Sequence, residues 1–190
     1  MLALLLAAAQ PAEAPPLPDC SYDWQAMAAL DRDAFDQDME GGWRVLGMKE
    51  GCEIATAELI RAWRHEKRDH HAILYWHEGQ MRALGGQTAE AVALFQRTYS
   101  PPEFDRAFGW NFYVSGTIAF LLGKREHLRE SIAGLKALPE PANVTFTEAD
   151  GTVNRWNWPP NLNVLEAFDR CWGKTYKEAY GSAACAAPGT

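Results

Sequence analysis

Between Ser21 and Leu138 the apolar residues recur at helical spacing, and turn residues interrupt them at short intervals. That pattern confines most of the chain to short helices packed on one another. Trp24, Met27, Ala28, Ala34 and Phe35 lie three, four and seven positions apart on one helical face. Ser21 can cap this helix, with Asp23 favourable in its first turn. It is expected to run to about Met39, where Gly41-Gly42 breaks it. Asp31/Asp33 and Asp36/Asp38 then fall on an exposed acidic face. A second helical segment spans Trp43 to Arg68 with Gly51 as a break, and Cys52, Ala55, Leu59 and Trp63 share its face. Lys67, Arg68 and Asp69 mark a turn. Helices are expected next at about His70–Leu84, Thr88–Tyr99, Glu103–Leu122 and Arg125–Leu138, with Pro101-Pro102 as a separator and Pro139 and Pro141 closing this region.

Beyond Leu138 the pattern changes. Val144, Phe146, Val153 and Trp156 flank Asp150-Gly151, a signal for a β-hairpin. Two last helices are expected at about Leu162–Trp172 and Lys174–Tyr180, and residues 186–190 read as a disordered tail. Asn143-Val144-Thr145 matches a glycosylation acceptor triplet, a common pattern without meaning in a bacterial exporter.

The hydrophobic share of 47% and charged share of 23% are those of a folded globular chain. A net charge of -7 and the lack of a Lys/Arg cluster argue against a nucleic-acid partner. Leu2 to Ala9 is apolar but too short to span a bilayer. Ala12-Glu13-Ala14 is a small-x-small site, so residues 1–14 fit a secretory signal, although no Lys or Arg precedes the apolar run. Residues 15–20 form a Pro-rich leader. Four cysteines without a C-x-x-C pair fit disulfides in an exported protein. Cys20, Cys52, Cys171 and Cys185 allow three connectivities, and locality favours Cys20–Cys52 with Cys171–Cys185.

Residues Asp69 to Gln96 hold His70, His71, His77 and Glu78 within a short span. His70 and His77 share a helical face but lie two turns apart, roughly 10 Å along the axis. His71 and His77 point to different sides, so no shared metal is expected. His65 and Asp69 have ligand spacing but read as a solvated pair. His77 joins a stripe with Leu74, Met81 and Leu84 and reads as a core histidine with a hydrogen-bond partner. No phosphate loop, nucleophile elbow or dinucleotide fingerprint is present, and no cofactor is expected.

Gly79, Gly86, Ala91 and Phe95 follow one another at offsets of seven, five and four. Gly116, with Phe112 before it and Phe120 after it, marks a second unit, in which Arg129 replaces the early alanine. Trp43-Arg44-Val45-Leu46-Gly47 supplies a W-x-x-L-G start, from which Lys49-Glu50-Gly51-Cys52 departs. Over about Trp43 to Leu138 the chain thus resembles the tetratricopeptide-repeat family. The resemblance implies stacked helical hairpins whose first helices line a concave, peptide-binding face. Carried over residue by residue, that face holds Trp76 and Gln80, then Trp110, Tyr113 and Thr117, with Arg44 and Met48 from the first unit. The other reading of Trp76 and Trp110 packs them beneath the C-terminal segment.

The expected fold is mostly α: a helical-hairpin solenoid or bundle over 21–138, capped by a β-hairpin and terminal helices over 139–185. The expected function is non-catalytic binding of a peptide, protein or envelope component by an exported, periplasmic or secreted protein. The alternative is a small envelope hydrolase acting on cell-wall sugars or peptides. In it Glu78, His77, Asn111 and the loop Arg155 to Asn163 would converge for acid–base chemistry.

Overall fold

The computed structural model describes residues 17–105, 108–147, 151–155 and 157–186. The expected signal segment, Asp150 of the Asp150-Gly151 turn, and Trp156 lie outside them. The described chain is mostly helical.

The N-terminal region departs from the single helix expected over Ser21 to Met39. Helix α1 covers only Trp24–Ala29, capped by the Asp23 side chain, and Leu30 is extended. The Asp31 carboxylate then accepts from the Ala34 amide at 2.9 Å and starts a separate π-helical turn, Asp33–Gln37. The change of direction turns Phe35 inward, where it stacks on Trp63 at 4.4 Å. Trp63 Nε1 donates to the Met27 carbonyl at 3.1 Å, so one indole anchors both short pieces. A continuous helix would carry Phe35 and Asp36 round its surface; here both are buried.

Helix α2 (Arg44–Gly47) precedes α3 (Glu53–Lys67), with Gly51 at φ +83° between them. Helices α4 (Ala72–Leu84) and α5 (Thr88–Phe95) follow, the latter continued by a 3-10 turn, Gln96–Thr98. The helix expected over Glu103–Leu122 is two: α6 (Pro102–Asp105) and α7 (Trp110–Leu121). Gly109 separates them at φ +72°, and a β-carbon there would collide with Leu135 and Leu138. Helix α8 (Arg125–Lys136) precedes strands β1 (Thr145–Thr147) and β2 (Val153–Arg155), which pair antiparallel with Thr145 opposite Arg155. Helices α9 (Leu162–Arg170) and α10 (Tyr176–Ala179) end the fold, α10 opening on a Thr175/Glu178 capping box.

Each helix from α3 to α5 packs on the next, α5 packs on α7, and α9 lies across α7 and α8. Helix α10 returns to α4. One core gathers Phe35, Trp43, Leu59 and Trp63 at the N-terminal end. A second gathers Trp76, Phe95, Tyr113, Phe120, Leu165 and Phe168. Disulfides Cys20–Cys52 and Cys171–Cys185 fasten the leader to the start of α3 and the end of α9 to the final turn. Among the described residues no helix is long and apolar enough to cross a membrane.

Gly79 sets the approach of α4 and α5. A β-carbon there would stand 2.7 Å from the Phe95 ring, which is fully buried and has nowhere to retreat. Gly79→Ala gains up to about 1 kcal/mol of helix propensity but overpacks the core by about 1–3 kcal/mol. A net loss is expected, read as a lower urea midpoint. An unchanged or higher midpoint would show that Phe95 yields freely.

Candidate functional site

The residues expected on a concave face divide into two groups. Trp76 is 3% exposed, and its ring meets those of Phe95, Trp110 and Tyr113 at 4.4, 4.7 and 4.8 Å. Trp110 Nε1 donates to the Thr98 carbonyl at 2.7 Å. Gln80 Nε2 donates to Tyr180 Oη at 2.9 Å, and Thr117 is fully buried. Burial, with Tyr176 and Tyr180 beside it, pushes the Tyr113 phenol well above its ordinary range. Trp76, Gln80, Tyr113 and Thr117 are buried and Trp110 is half-buried, so the open aromatic groove expected here is corrected to a largely interior cluster, on whose helices α9 (on α7) and α10 (on α4) pack. Arg44 lies elsewhere, over the Trp43 ring at 4.4 Å and donating to the Asp36 carbonyl. Met48 is 71% exposed.

The histidine-rich stretch also separates by partner. Tyr75 Oη is 3.1 Å from His70 Nδ1. His71 caps α4 by accepting from the Ile73 amide. Asp69 pairs with Arg32 at 3.3 Å instead of with His65. His77 Nδ1 reaches Asp36 Oδ1 at 2.7 Å. Among the described residues no three potential metal ligands gather.

Glu78, the carboxylate considered for acid–base work, is 2% exposed and shared by two guanidinium groups. Arg64 donates to Oε2 through Nε (3.2 Å) and Nη2 (2.5 Å). Arg82 donates to Oε1 through Nε (3.2 Å) and Nη2 (3.1 Å). Arg82 continues to Glu58 at 2.8 Å and to the Gln87 amide oxygen at 2.7 Å. Arg64 and Arg97 lie over the Tyr75 ring at 4.0 and 4.4 Å. The set clamps α3, α4 and the start of α5. Asn111 is likewise committed: its amide exchanges two hydrogen bonds with the Ser100 backbone, at 2.9 and 2.8 Å. Glu78, His77 and Asn111 therefore serve three different local structures.

Asp36 is the buried carboxylate of the N-terminal region, correcting the exposed acidic face expected for it. It accepts from Trp43 Nε1 at 2.9 Å as well as meeting His77. Burial raises its proton affinity, but His77, Trp43 and Gln37 outweigh burial and hold the carboxyl below its ordinary range.

A cleft of about 700 Å³ opens in the C-terminal region, between residues 157–159, α9 and the turn 181–186. Half-buried Trp158 forms one wall, its Nε1 donating to the Leu138 carbonyl at 3.5 Å. Arg170 Nε donates to the Cys185 carbonyl at 2.6 Å, so the Cys171–Cys185 loop is fixed as the opposite wall. Glu166 is tied to Lys136 at 2.7 Å. Asn157 and Asn163 line the cleft, and their exposed side-chain amides make no hydrogen bond among the described residues. The loop Arg155 to Asn163 was expected to meet Glu78, His77 and Asn111 in a cleft; here its residues 157–159 and Asn163 face the C-terminal turn instead. The facing turn, with Gly181, Ser182, Ala183 and Ala186, carries no chemical motif to betray it.

No family model, curated protein or solved structure matches this chain.

Two predictions separate structural from chemical roles. Glu78→Gln removes the charge that both buried guanidinium groups share, and breaking such a set by one partner costs about 3–5 kcal/mol. Urea denaturation is expected to show that loss; wild-type stability would return Glu78 to the acid–base candidates. Asp36 contributes stability that is complete above about pH 4, its unfolded value, and is lost as pH falls through its lower folded value. Protection of the amides of residues 33–47, relative to the unfolded chain at the same pH, is expected to fall below about pH 4. Asp36→Asn is expected to abolish that acid step, and an equal step in this variant would place its origin elsewhere.

Proposed function

We propose that this protein is an exported, non-catalytic binding protein whose ligand lies in the C-terminal cleft. The ligand class is a peptide, protein or envelope component. The observation that carries the reading is the pair of uncommitted amides, Asn157 and Asn163, beside the Trp158 wall. Binding sites combine an apolar wall with a few polar groups that fix the ligand's orientation. The cleft volume falls within the range of small-ligand sites.

Export is supported by the two disulfides, which fit an oxidising compartment. In this reading α4/α5 and α7/α8 act as tetratricopeptide-like hairpins that serve as a platform, and the loop 157–159 with α9 and the turn 181–186 forms the binding cap. Ligand recognition moves from Trp76 and Trp110 to Trp158. A hydrolase acting through Glu78 is disfavoured by the carboxylate's double arginine clamp, which leaves it no solvent-facing oxygen for proton transfer.

The test is a thermal-shift screen of envelope fragments and peptides against wild type and Trp158→Ala. A ligand at 100 times its dissociation constant stabilises the fold by about 2.7 kcal/mol, which raises the melting temperature. The expected result is a shift in wild type that Trp158→Ala loses while keeping its own circular dichroism spectrum. A shift retained in that variant would move the site out of the cleft.

A further inference from the structure

The charges on the cleft wall are already used inside the protein. Glu166 is held by Lys136 at 2.7 Å and faces Arg170 at 4.0 Å. Arg170 spends its Nε on the Cys185 carbonyl. A charged ligand would have to compete with one of these bonds, and breaking a partnered charge to bind another returns little net energy. Beside this partnered pair the wall carries neutral polar groups. The Asn157 and Asn163 amides each offer two donors and an acceptor, and Ser182 adds a hydroxyl that can do both.

The apolar part of the wall holds one aromatic ring. Trp158, Pro159 and Leu162 supply it, with Val164 and Ala167 of α9 and the alanines of the facing turn. An extended peptide is usually held by a free sheet edge, and a helix by a run of apolar pockets. The cleft wall contains no strand residue, only a loop, one helix and a turn. A ring whose hydroxyls both donate and accept, and whose C–H face is weakly electropositive, suits this combination. Its C–H face can rest on the negative face of the indole while amides meet adjacent hydroxyls.

We infer that the cleft binds a neutral oligosaccharide, with one sugar ring on Trp158 and its hydroxyls on Asn157 and Asn163. This inference rests on the reading of the cleft as the ligand site. The stretch Trp158 to Asn163 thus brings the stacking surface and one amide to the cleft from a single loop and the first turn of α9. Ser182, on the disulfide-fixed turn, supplies a contact from the other side.

The test uses the full chain with its disulfides intact, titrated by calorimetry and saturation-transfer NMR. The probes are neutral trisaccharides of N-acetylglucosamine, glucose and xylose, beside an acidic galacturonate trimer and a set of neutral extended peptides. At least one neutral trisaccharide is expected to bind in the micromolar to millimolar range, with little dependence on salt. Trp158→Ala is expected to weaken it about tenfold or more, the weight of an aromatic anchor. Asn163→Ala is expected to weaken it several-fold with an unchanged melting temperature, because Asn163 is exposed and its side chain makes no hydrogen bond among the described residues. That variant keeps the test decisive if Trp158→Ala unfolds. Peptide binding lost in Trp158→Ala, with no sugar bound, overturns the saccharide while the cleft stands as a site. Salt-sensitive binding of the acidic trimer alone overturns the neutral class. Sugar binding that is unchanged in both variants overturns the location. If no probe binds and the Asn157 and Asn163 side-chain resonances stay fixed throughout, the saccharide and the cleft fail together.

Discussion

Glu78 between Arg64 and Arg82 is the contact on which the helical body turns. The three charges come from two helices, and Arg82 extends the set to Gln87 before α5 and back to Glu58 on α3. Desolvating such ions is costly, and the cost is met only where every donor and acceptor finds a partner. Here both carboxylate oxygens are occupied, and Tyr75 gives the guanidinium faces of Arg64 and Arg97 an aromatic surface. The neighbouring residue, Gly79, controls the opposite side of the same helical turn by admitting the Phe95 ring. Consecutive positions thus fix α4 against α3 through directed charge and against α5 through shape. Directed bonds define the register, which packing alone defines less sharply.

With α4 positioned, its remaining face carries Trp76 and Gln80 toward α7 and the terminal helices. The aromatic cluster of Trp76, Trp110 and Tyr113 buries a large apolar area at that junction. An exposed cluster of this size would be an association hazard. The terminal helices remove the hazard, and Gln80–Tyr180 gives the closure one specific polar contact. Lys177 on α10 also meets Glu53 on α3 at 2.6 Å, an exposed pair of modest weight.

Helix existence was readable because its period is local. The spacing of Cys52, Leu59 and Trp63 identified α3 without knowledge of its neighbours, and Gly79 with Phe95 marked the α4/α5 approach. The failures have non-local causes. Phe35 leaves the expected long helix because Trp63, far along the chain, offers a stacking partner. Asp36 sits beside residues that read as an exposed acidic run, yet Trp43 and His77 draw it inside. The concave positions were identified from a repeat pattern, and a pattern records where a helix face points without recording what later segment lies on it. Cleft residues posed the opposite difficulty: Asn163 and Ser182 are ordinary surface types, and only folding makes them neighbours. The local cysteine pairs were favoured by separation, and both are present.

Helix α9 shows how closure of the core and formation of the cleft arise from one element. Leu165 and Phe168 face inward, and Leu165 lies against Gly116, where a β-carbon would meet it at 2.6 Å. Asn163, Glu166 and Arg170 fall three and four positions apart on the outward face and line the cleft. Glycine at 116 lets α9 descend onto α7, and the depth of that descent places the outward face relative to Trp158. The disulfide then returns the chain over the end of the helix, where Arg170 receives it through the Cys185 carbonyl. A surface built this way inherits the rigidity of the core beneath it, so its side chains start from a fixed backbone.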